Sequence, residues 1–443
     1  MSDTNLPNPA KPSDQITTDP SKPAQRMRAG SLRLTLLPWV AAAIALAVMP
    51  YIFTSNSALT IMNQMWITVV FALAYNMLLG QGGMLSFGHA VYAGVGGFAC
   101  MHIMNMSDFF AVLPLPVLPV FGGLFGMGLA MIVGSFSTRN AGTVFAMISL
   151  GVGELIAACS VIIVAFFGGE EGISGDRTYA LPTFGNEFLQ QIDVYYLTST
   201  WVLISAALMY LWSRTPVGRM ANAVRDNPER AEFLGYSARW VRFYSFVASG
   251  FFAGVAGGLF AINYEIVTEE NLNTTSSGVI LLVTFLGGVG FFFGPIIGAI
   301  AFTLLQTVLS LQTELWAFYA GVLFLATVMF FPGGIAGLMM MHVPAFRLGR
   351  ARLLVVPYIK TLIPAFIGVM GLSALVEMVF HFRHAATGDN EMTVFWTTFD
   401  SHTILPWLVA LAITIVSLGI TRATAPALRE AWNDANTANG GQQ

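Results

Sequence analysis

Long apolar runs alternate with short polar connections along most of the 443-residue chain. A membrane-spanning helix needs about 20 mostly apolar residues, and twelve runs meet or approach this length. The predicted spans are 34–53, 57–79, 84–104, 111–134, 141–167, 194–213, 239–264, 274–288, 293–311, 315–332, 354–381 and 403–421. Because only glycine-rich sequence separates 274–288 from 293–311, one or both of these could be a half-helix. We therefore expect ten to twelve transmembrane or re-entrant helices.

The composition supports this pattern and excludes other classes. Hydrophobic residues make up 56% of the chain and charged residues only 10%, whereas soluble domains carry about 25% charged residues. Soluble, collagen-like, coiled-coil and disordered proteins are thereby excluded. The predicted fold class is an all-α polytopic membrane protein in which membrane lipids cover the outer surface.

The distribution of basic residues predicts the orientation. If the N-terminus is cytoplasmic and the chain crosses twelve times, the inside regions hold 17 of the 20 Lys and Arg residues, with helix-end Arg239 and Arg242 counted as inside. Cytoplasmic loops of membrane proteins are enriched in Lys and Arg. We expect cytoplasmic N- and C-termini, and the sequence gives no indication of a nucleic-acid partner.

Glycine interrupts one apolar segment in each half of the chain. The first interruption is GQGGMLSFGH at 80–89, and the second is GGVG at 287–290 followed by Gly294-Pro295. Irregular backbone inside a membrane persists only against protein or a water-lined path, and paired interruptions point to a translocation site. Close helix packing through small residues is the alternative, as at 94–97. The candidate pathway residues are Gly80, Gly82, Gly83, Ser86, Gly88, His89, Glu154, Gly287, Gly288, Gly290 and Gly294.

Two of these candidates carry titratable side chains. Glu154 lies in the middle of the span 141–167, where an ionisable residue suggests a function. It could face a polar cavity or simply bond to a neighbouring serine or carbonyl. His89 could line the path, but a hydrogen-bonded packing histidine is the stronger interpretation.

The polar region 214–238 has more structure than a connector needs. Thr215-Pro216 is a good helix start, and Val217, Met220, Ala221 and Val224 fall on one helical face. Asn227-Pro228 starts a second short helix, and Gly235 is placed to end it. Such a pair of amphipathic helices could lie on the lipid surface or dock into a groove on a partner.

The chain lacks the residues of several alternative functions. None of its three lysines follows a glycine, so the Gly-Lys-Ser/Thr phosphate loop is absent and any ATP and Mg²⁺ must be bound by partner chains. The histidines show no metal-ligand spacing, and no nucleophile–base pair suggests an enzyme. A stand-alone transporter driven by an ion gradient remains an alternative, although Glu154 is the only deeply placed acid.

Four motifs together resemble a known family. The segments GRMANAVRDN at 218–227 and ERAEFLG at 229–235 resemble the coupling region of ABC-importer permeases of the branched-chain amino acid type, LivM with its sister LivH. NMLLGQGGMLSFGHA at 76–90 resembles that family's N-terminal signature. GGVG at 287–290 with GPIIGA at 294–299, and PGGIAGL at 332–338, resemble its C-terminal half.

The resemblance implies a permease subunit that forms half of a translocation pathway and is not itself an enzyme. It implies two separate ATPase subunits, a second LivH-like permease, a periplasmic solute-binding protein and a location in the bacterial inner membrane. The solute would be a branched-chain amino acid or a related small polar molecule. The implied ATPase-coupling residues are Gly218, Arg219, Ala221, Arg225, Asn227, Glu229, Arg230, Ala231, Glu232, Leu234 and Gly235.

One departure from the family concerns length. The family usually ends soon after its Pro-Gly-Gly motif, whereas this chain continues for about a hundred residues. We therefore divide it into a disordered cytoplasmic tail at 1–33, a permease core at 34–340 and an extension at 341–421 with two extra spans. Residues 422–443 are expected to form a cytoplasmic tail.

Overall fold

The computed structural model describes residues 25–182, 188–384, 391–394 and 397–436, and within these ranges the protein is mainly helical. The helices are α1 Gln25–Ile52, α2 Asn56–Asn76, α3 Ala90–Met104, α4 Ser107–Phe110, α5 Leu118–Ser137, α6 Gly142–Ile162, α7 Val164–Phe167, α8 Gln191–Arg214, α9 Pro216–Asp226, α10 Pro228–Phe233, α11 Ala238–Tyr264, α12 Thr274–Gly287, α13 Gly294–Ser310, α14 Trp316–Phe330, α15 Gly334–Met341, α16 Val343–Arg347, α17 Arg352–His384 and α18 Ile404–Asn436. The strands β1 Ile173–Ser174 and β2 Ile266–Val267 pair antiparallel, and so do β3 Glu391–Val394 and β4 Thr397–Asp400.

The chain divides into two compact units, Met1–Thr54 and Ser55–Gln443. The described part of the first unit is α1, whose apolar portion is Leu36–Ile52. The disordered tail was predicted over 1–33. Residues 1–24 lie outside the described part of the chain, but 25–33 are helical, so the prediction was wrong for this stretch.

Among the described residues, seven helices are long and apolar enough to cross a membrane. An eighth crossing is formed if Trp316–Phe330 and Gly334–Arg347, which meet at a bend of 47°, count as one span. Four further apolar helices are shorter: Leu36–Ile52, Ala90–Met104, Thr274–Gly287 and Gly294–Ser310. Each of the twelve predicted segments therefore contains a helix, and the membrane class is confirmed. Several helices are shorter than predicted because glycine-rich backbone interrupts them.

Helix α11 is the centre of the larger unit, and 83% of its apolar window is buried. It packs against α2, α3 and α5. A Cβ atom added at Gly257 would lie within 3.0 Å of the Ala93 carbonyl, and one at Gly254 within 3.0 Å of the Gly122 carbonyl. Glycine therefore lets these backbones approach closely. Gly96 makes a similar contact with Gly254, as expected from the packing interpretation of 94–97.

The C-terminal extension is a pair of long helices, α17 and α18, joined through the β3–β4 hairpin. Only 17% of the apolar window of each helix is buried. The segment predicted as a cytoplasmic tail after residue 421 is helical in its described part, because α18 continues without a break to Asn436. Its last turns pack on α16 and on the start of α17, where Ala345, Leu354 and Ala435 are buried together.

Candidate functional site: the α9–α10 loop and the glycine junction

The two short helices predicted in the 214–238 loop are present, with the predicted caps. The Thr215 hydroxyl accepts a hydrogen bond from the Gly218 amide at 3.2 Å, and the Asn227 side chain accepts one from the Arg230 amide at 3.0 Å. Gly235 has φ +85°, the left-handed conformation that glycine adopts after a helix. Each cap satisfies a backbone group at a helix end, so both helices have defined boundaries.

The apolar face of the loop is buried, as the spacing predicted. Ala221, Val224 and Ala231 form a small core with Ala238 and Val241 of α11, and Met220 packs on it. Gly218 sits against the last turn of α8, where a Cβ atom would lie within 3.0 Å of the Trp212 carbonyl. Five of the predicted coupling residues thus have local structural roles: Gly218, Ala221, Asn227, Ala231 and Gly235.

The end of α10 presents apolar side chains to solvent. Phe233 is 91% exposed and Leu234 is 67% exposed. The predicted coupling residues Arg219, Glu229, Arg230 and Glu232 are also exposed. We call Phe233 and Leu234 the loop tip. Isolated exposed apolar residues are common, but two adjacent ones on a short, capped and otherwise polar loop are suited to a partner's pocket.

Arg225 links this loop to the first glycine-broken segment. Its Nη1 donates a hydrogen bond to the Gly80 carbonyl, and its Nε donates to Asp226 at 2.9 Å. The aliphatic part of the side chain lies over Gly83, where any Cβ atom would collide with it and where φ is +65°. Gly80 lies in a single π-helical turn, Met77–Gln81, that follows the end of α2. Arg225 therefore joins α9 to the broken end of α2.

The second glycine-broken segment meets the first at the same place. A Cβ atom at Gly80 would lie within 3.0 Å of the Val289 carbonyl, and the Asn76 amide donates to the Phe291 carbonyl at 3.4 Å. Gly288, with φ +113°, lies against the backbone of Gly333. We call the set formed by Gly80, Gly83, Gly287, Gly288, Gly294, Gly333 and Gly334 the glycine junction.

The junction brings together three of the four sequence motifs, and the fourth contacts it through Arg225. A Cβ atom at Gly287 or Gly294 would clash with the other turn of the same 287–294 connection, and one at Gly334 with Gly288. Gly82 lies against the Leu78 carbonyl. Gly290 is different, because a Cβ atom there would meet nothing within 4 Å. For the other glycines this geometry favours the close-packing interpretation.

The remaining residues of the first motif are buried in a polar and aromatic cluster. His89 Nε2 lies 3.1 Å from the Ser249 hydroxyl, which itself donates to the Ala74 carbonyl at 2.6 Å. The His89 ring stacks on Phe71 with a centroid separation of 5.9 Å. Gly88 packs on the Ser149 carbonyl. Ser86 is buried, and its carbonyl accepts the Tyr75 hydroxyl at 2.9 Å. His89 is therefore a packed, hydrogen-bonded side chain.

Glu154 has a different environment from the buried one that its position in the sequence suggested. It lies on an exposed face of α6 and accepts a hydrogen bond from the Thr274 hydroxyl at the start of α12. The carboxylate and the polar first turn of α12 thus share one face of the unit. The hydrogen bond lowers the free-energy cost of placing the carboxylate on an apolar helix, although the side chain stays exposed.

A cavity of about 390 Å³ lies among α2, α3, α11, α12 and α13. Its polar lining includes Gln64, Thr68, Gln306 and the start of α12 at Thr275 and Ser276. None of the eleven predicted pathway residues lines it, within the part of the chain that the structure describes.

Sequence reasoning missed the cavity residues, and it placed Phe233 in the coupling segment 229–235 without naming it among the coupling residues. The signal for the cavity was weak: isolated Gln and Thr residues inside apolar runs. The signal for Phe233 was clearer, because a phenylalanine stands alone in a short polar helix. No group of three or more metal-ligating side chains occurs among the described residues.

Comparisons with known proteins agree with these motifs. Residues 57–332 match the family model for the permease component of branched-chain amino acid transport systems. The chain is 26% identical over 285 residues to the high-affinity branched-chain amino acid transport system permease protein LivM of Escherichia coli, covering 59% of this chain and 66% of that protein. It is 24% identical over 284 residues to a probable permease protein LivH of Methanocaldococcus jannaschii, covering 61% of this chain and 88% of that one.

A more distant relative is the autoinducer 2 import system permease protein LsrC of Yersinia pestis, 29% identical over 137 residues, which are 29% of this chain and 39% of that protein. No solved structure is significantly similar to the chain. The matched region contains the π-turn of α2, the α9–α10 loop and the glycine junction up to residue 332. The chain belongs to the family of branched-chain amino acid transport system permease components.

Proposed function

We propose that the chain is the permease subunit of an ATP-driven importer for branched-chain amino acids or a related small polar solute. The observation that carries this proposal is the loop tip, where Phe233 and Leu234 project from a short capped helix. Two copies of a separate ATPase would receive such tips, because this chain has no phosphate loop of its own. ATP and Mg²⁺ belong to those partner chains.

The contacts of Arg225 supply the route from the ATPase to the membrane helices. ATP-driven closure of the ATPases would move α9 and α10 as a unit, since Ala221, Val224 and Ala231 are packed in one core. The movement would reach Gly80 through Arg225, and from there Val289 and α12. Packed elements switch between discrete arrangements rather than deforming continuously.

The exposed carboxylate of Glu154 supports a second permease beside this chain. A charged group facing lipid is costly, and the face with Glu154 and Thr274 is open in the isolated chain. A LivH-like permease would cover this face and complete a polar path between the two chains. A periplasmic binding protein would deliver the solute, with the chain in the inner membrane and its α9–α10 loop and termini in the cytoplasm.

The alternative of a stand-alone, ion-coupled secondary transporter finds no support among the relatives, which by name are permease proteins of transport or import. Such a transporter also needs no docking loop. The exposed loop tip, and the contact of Arg225 with the glycine junction, would have no function in that mechanism.

The test is co-purification of the full-length chain with the ATPases, the second permease and the binding protein expressed together. Replacing Phe233→Asp places a charge in the proposed pocket, so we expect the ATPases to be lost while the second permease remains. Tyr179→Asp is the control, because Tyr179 is 70% exposed and lies far from the loop in sequence. Thermal unfolding of both variants reports whether the permease is intact. Full recovery of the ATPases with an intact Phe233→Asp variant would contradict the docking role.

A further inference from the structure

The cavity of about 390 Å³ has a polar end at the start of α12. Helices α12 and α13 follow each other across a short turn and pack side by side, with Gly298 against the Val283 carbonyl. Because the two helices are antiparallel, the same register places Gln306 level with Thr275, about two turns further along. Both of these residues line the cavity, so the polar lining of the two helices gathers at one end.

Gln64 of α2 belongs to the same polar end. The ends of α2 and α12 meet at the glycine junction, through Gly80 and Gly287, so the two packed helices run in the same direction and Gln64 lies toward the start of α12. Within the described part of the chain, the side-chain amides of Gln64 and Gln306 form no hydrogen bond. A polar group that is removed from water without a partner is costly, so both amides are suited to a bound polar molecule.

The other end of the cavity is apolar and aromatic. The register of α12 and α13 places Phe302 level with Val279, and both line the cavity. Phe71 of α2 and Phe260 of α11 complete this end. The volume falls near the lower limit of the about 300–1,000 Å³ that is typical of small-molecule sites. The cavity therefore fits a small molecule that is polar at one end and apolar at the other.

The first turn of α12 is suited to an anionic group. The helix has 14 residues and rises about 21 Å, less than the roughly 30 Å hydrocarbon core of a bilayer. Because its last residues lie at the glycine junction beside the polar α9–α10 loop, its first turn is the end inside the membrane. Asn273 caps the Ser276 amide at 2.9 Å, whereas the amides of Thr274 and Thr275 have no partner within the helix. Broken helices of transporters direct such N-termini at anionic groups.

Glu270 supplies the opposite charge beside this helix start. It lines the cavity, and its carbonyl accepts a hydrogen bond from the Ser276 hydroxyl at 2.6 Å. An acidic residue therefore lies next to a helix N-terminus, which carries a positive partial charge. A carboxylate and an ammonium group on one carbon atom match this pair of opposite charges.

We propose that this cavity, within the single chain, is a binding site for an α-amino acid with an aliphatic side chain. The proposal rests on the proposed function and selects amino acids from the small polar solutes considered there. The carboxylate binds at the start of α12 with Gln64 and Gln306, the ammonium group faces Glu270, and the aliphatic side chain lies at the aromatic end. A lipid chain would leave the amides unpaired, and water alone would leave the aromatic end without packing contacts.

The walls of this site contact the first glycine-broken segment, 80–89. The Phe71 ring stacks on the His89 ring with a centroid separation of 5.9 Å. In the first turn of α12, the Ser277 hydroxyl accepts a hydrogen bond from the Ala90 amide at 3.0 Å. A bound amino acid would therefore lie one side chain away from the segment that the α9–α10 loop contacts.

The experiment measures the binding of labelled leucine to the full-length chain in lipid nanodiscs by equilibrium dialysis. Val279→Phe fills the apolar end. Val308→Phe is its control, because Val308 is 61% exposed on α13 and does not line the cavity. Glu270→Gln removes the acidic charge, and Glu269→Gln is its control, because Glu269 is the adjacent acid and does not line the cavity. The competitors are isocaproate, which is leucine without its ammonium group, and leucinamide, which lacks the carboxylate.

We expect the wild-type chain and both controls to bind leucine, and Val279→Phe and Glu270→Gln to bind it about tenfold more weakly. Leucinamide should compete about tenfold less well than unlabelled leucine on the wild-type chain. Glu270→Gln should not weaken the binding of isocaproate, which has no ammonium group, whereas a general distortion of the site would weaken both ligands. Glu270 is exposed, so this variant keeps the test valid if Val279→Phe does not fold.

Equal leucine binding in all five forms of the chain would overturn the proposal, and so would the absence of leucine binding to the wild-type chain. Neither result would change the recovery of the ATPases with the chain. The binding site can therefore fail while the proposed function stands, and loss of the ATPases with leucine binding intact would show the reverse.

Discussion

The core around α11 and the C-terminal extension are both helical, yet they are held together in different ways. In the core, glycines bring backbones into contact, and 83% of the α11 window is buried. In the extension the corresponding value is 17% for α17 and for α18. The extension packs mainly on itself, and it contacts the rest of its unit through a small apolar cluster at Ala345 and through polar side chains. Glu377 accepts hydrogen bonds from Thr313 and Tyr319, and His342 bonds to Tyr358.

The difference shows where each region tolerates change. Backbone contact leaves no space for an added methyl group, because protein interiors have the density of a crystal. A helix pair that faces lipid has no such restriction on most of its surface. The same substitution, such as glycine to alanine, should therefore change the free energy of unfolding by different amounts in the two regions.

The largest effect is expected from Gly257→Ala in α11. The new Cβ atom would overlap the Ala93 carbonyl and its carbon, both backbone atoms that a rotamer change cannot move aside. We expect the free energy of unfolding to fall by about 3 kcal/mol, measured by thermal and denaturant unfolding in detergent. Gly278→Ala in α12 is the control, since a Cβ atom there meets nothing within 4 Å. Equal stability of the two variants would show that the core is less tightly packed than its geometry indicates.

A smaller effect is expected in the glycine junction, which has shorter elements that can move. Gly294→Ala should lower the free energy of unfolding by about 2 kcal/mol, because its Cβ atom would overlap the Gly288 carbonyl. Gly290→Ala should leave stability unchanged. Solute uptake by both variants separates the two interpretations of these glycines. If Gly290→Ala folds normally but abolishes uptake, the pathway interpretation is favoured over packing.

Local and non-local features differ in how well the sequence predicts them. Thr215, Asn227 and Gly235 act on backbone groups a few residues away, so the caps of α9 and α10 were predicted correctly. The meeting of Gly80 with Val289 depends on how distant segments pack, which no local pattern specifies. The exposed position of Glu154 depends in the same way on the rotation of α6 within the bundle.

The C-terminal extension also contains a feature that local sequence patterns do not predict. Hydrophobicity located both of its spans but ended the second at residue 421, because Arg422 and Arg429 made the following stretch polar. The helix continues since Ala431, Trp432 and Ala435 pack against α16 and the start of α17. This apolar spacing was too short to stand out in the sequence.

Removing one hydrogen bond between the extension and the rest of its unit should lower the free energy of unfolding by about 1 kcal/mol. Tyr319→Phe deletes the hydroxyl that donates to Glu377 at 3.0 Å, while Thr313 still donates to the same oxygen at 2.6 Å. We expect a small fall in thermal stability. The exposed Tyr179→Phe serves as the control and should leave it unchanged. An effect as large as that of Gly257→Ala would mean that the extension depends on this single contact.

The smallest effect is expected within the extension itself, at Gly419→Ala in α18. A Cβ atom there meets nothing within 4 Å, and alanine is favoured over glycine inside a helix by up to about 1 kcal/mol. Thermal stability should therefore stay the same or rise slightly. Gly371→Ala in α17 should lower it, because its Cβ atom would press on Thr414 at the helix crossing. If Gly419→Ala instead destabilises the purified chain as much as Gly371→Ala does, the outer face of α18 is packed more closely than its geometry indicates, and the contrast between the two regions would disappear.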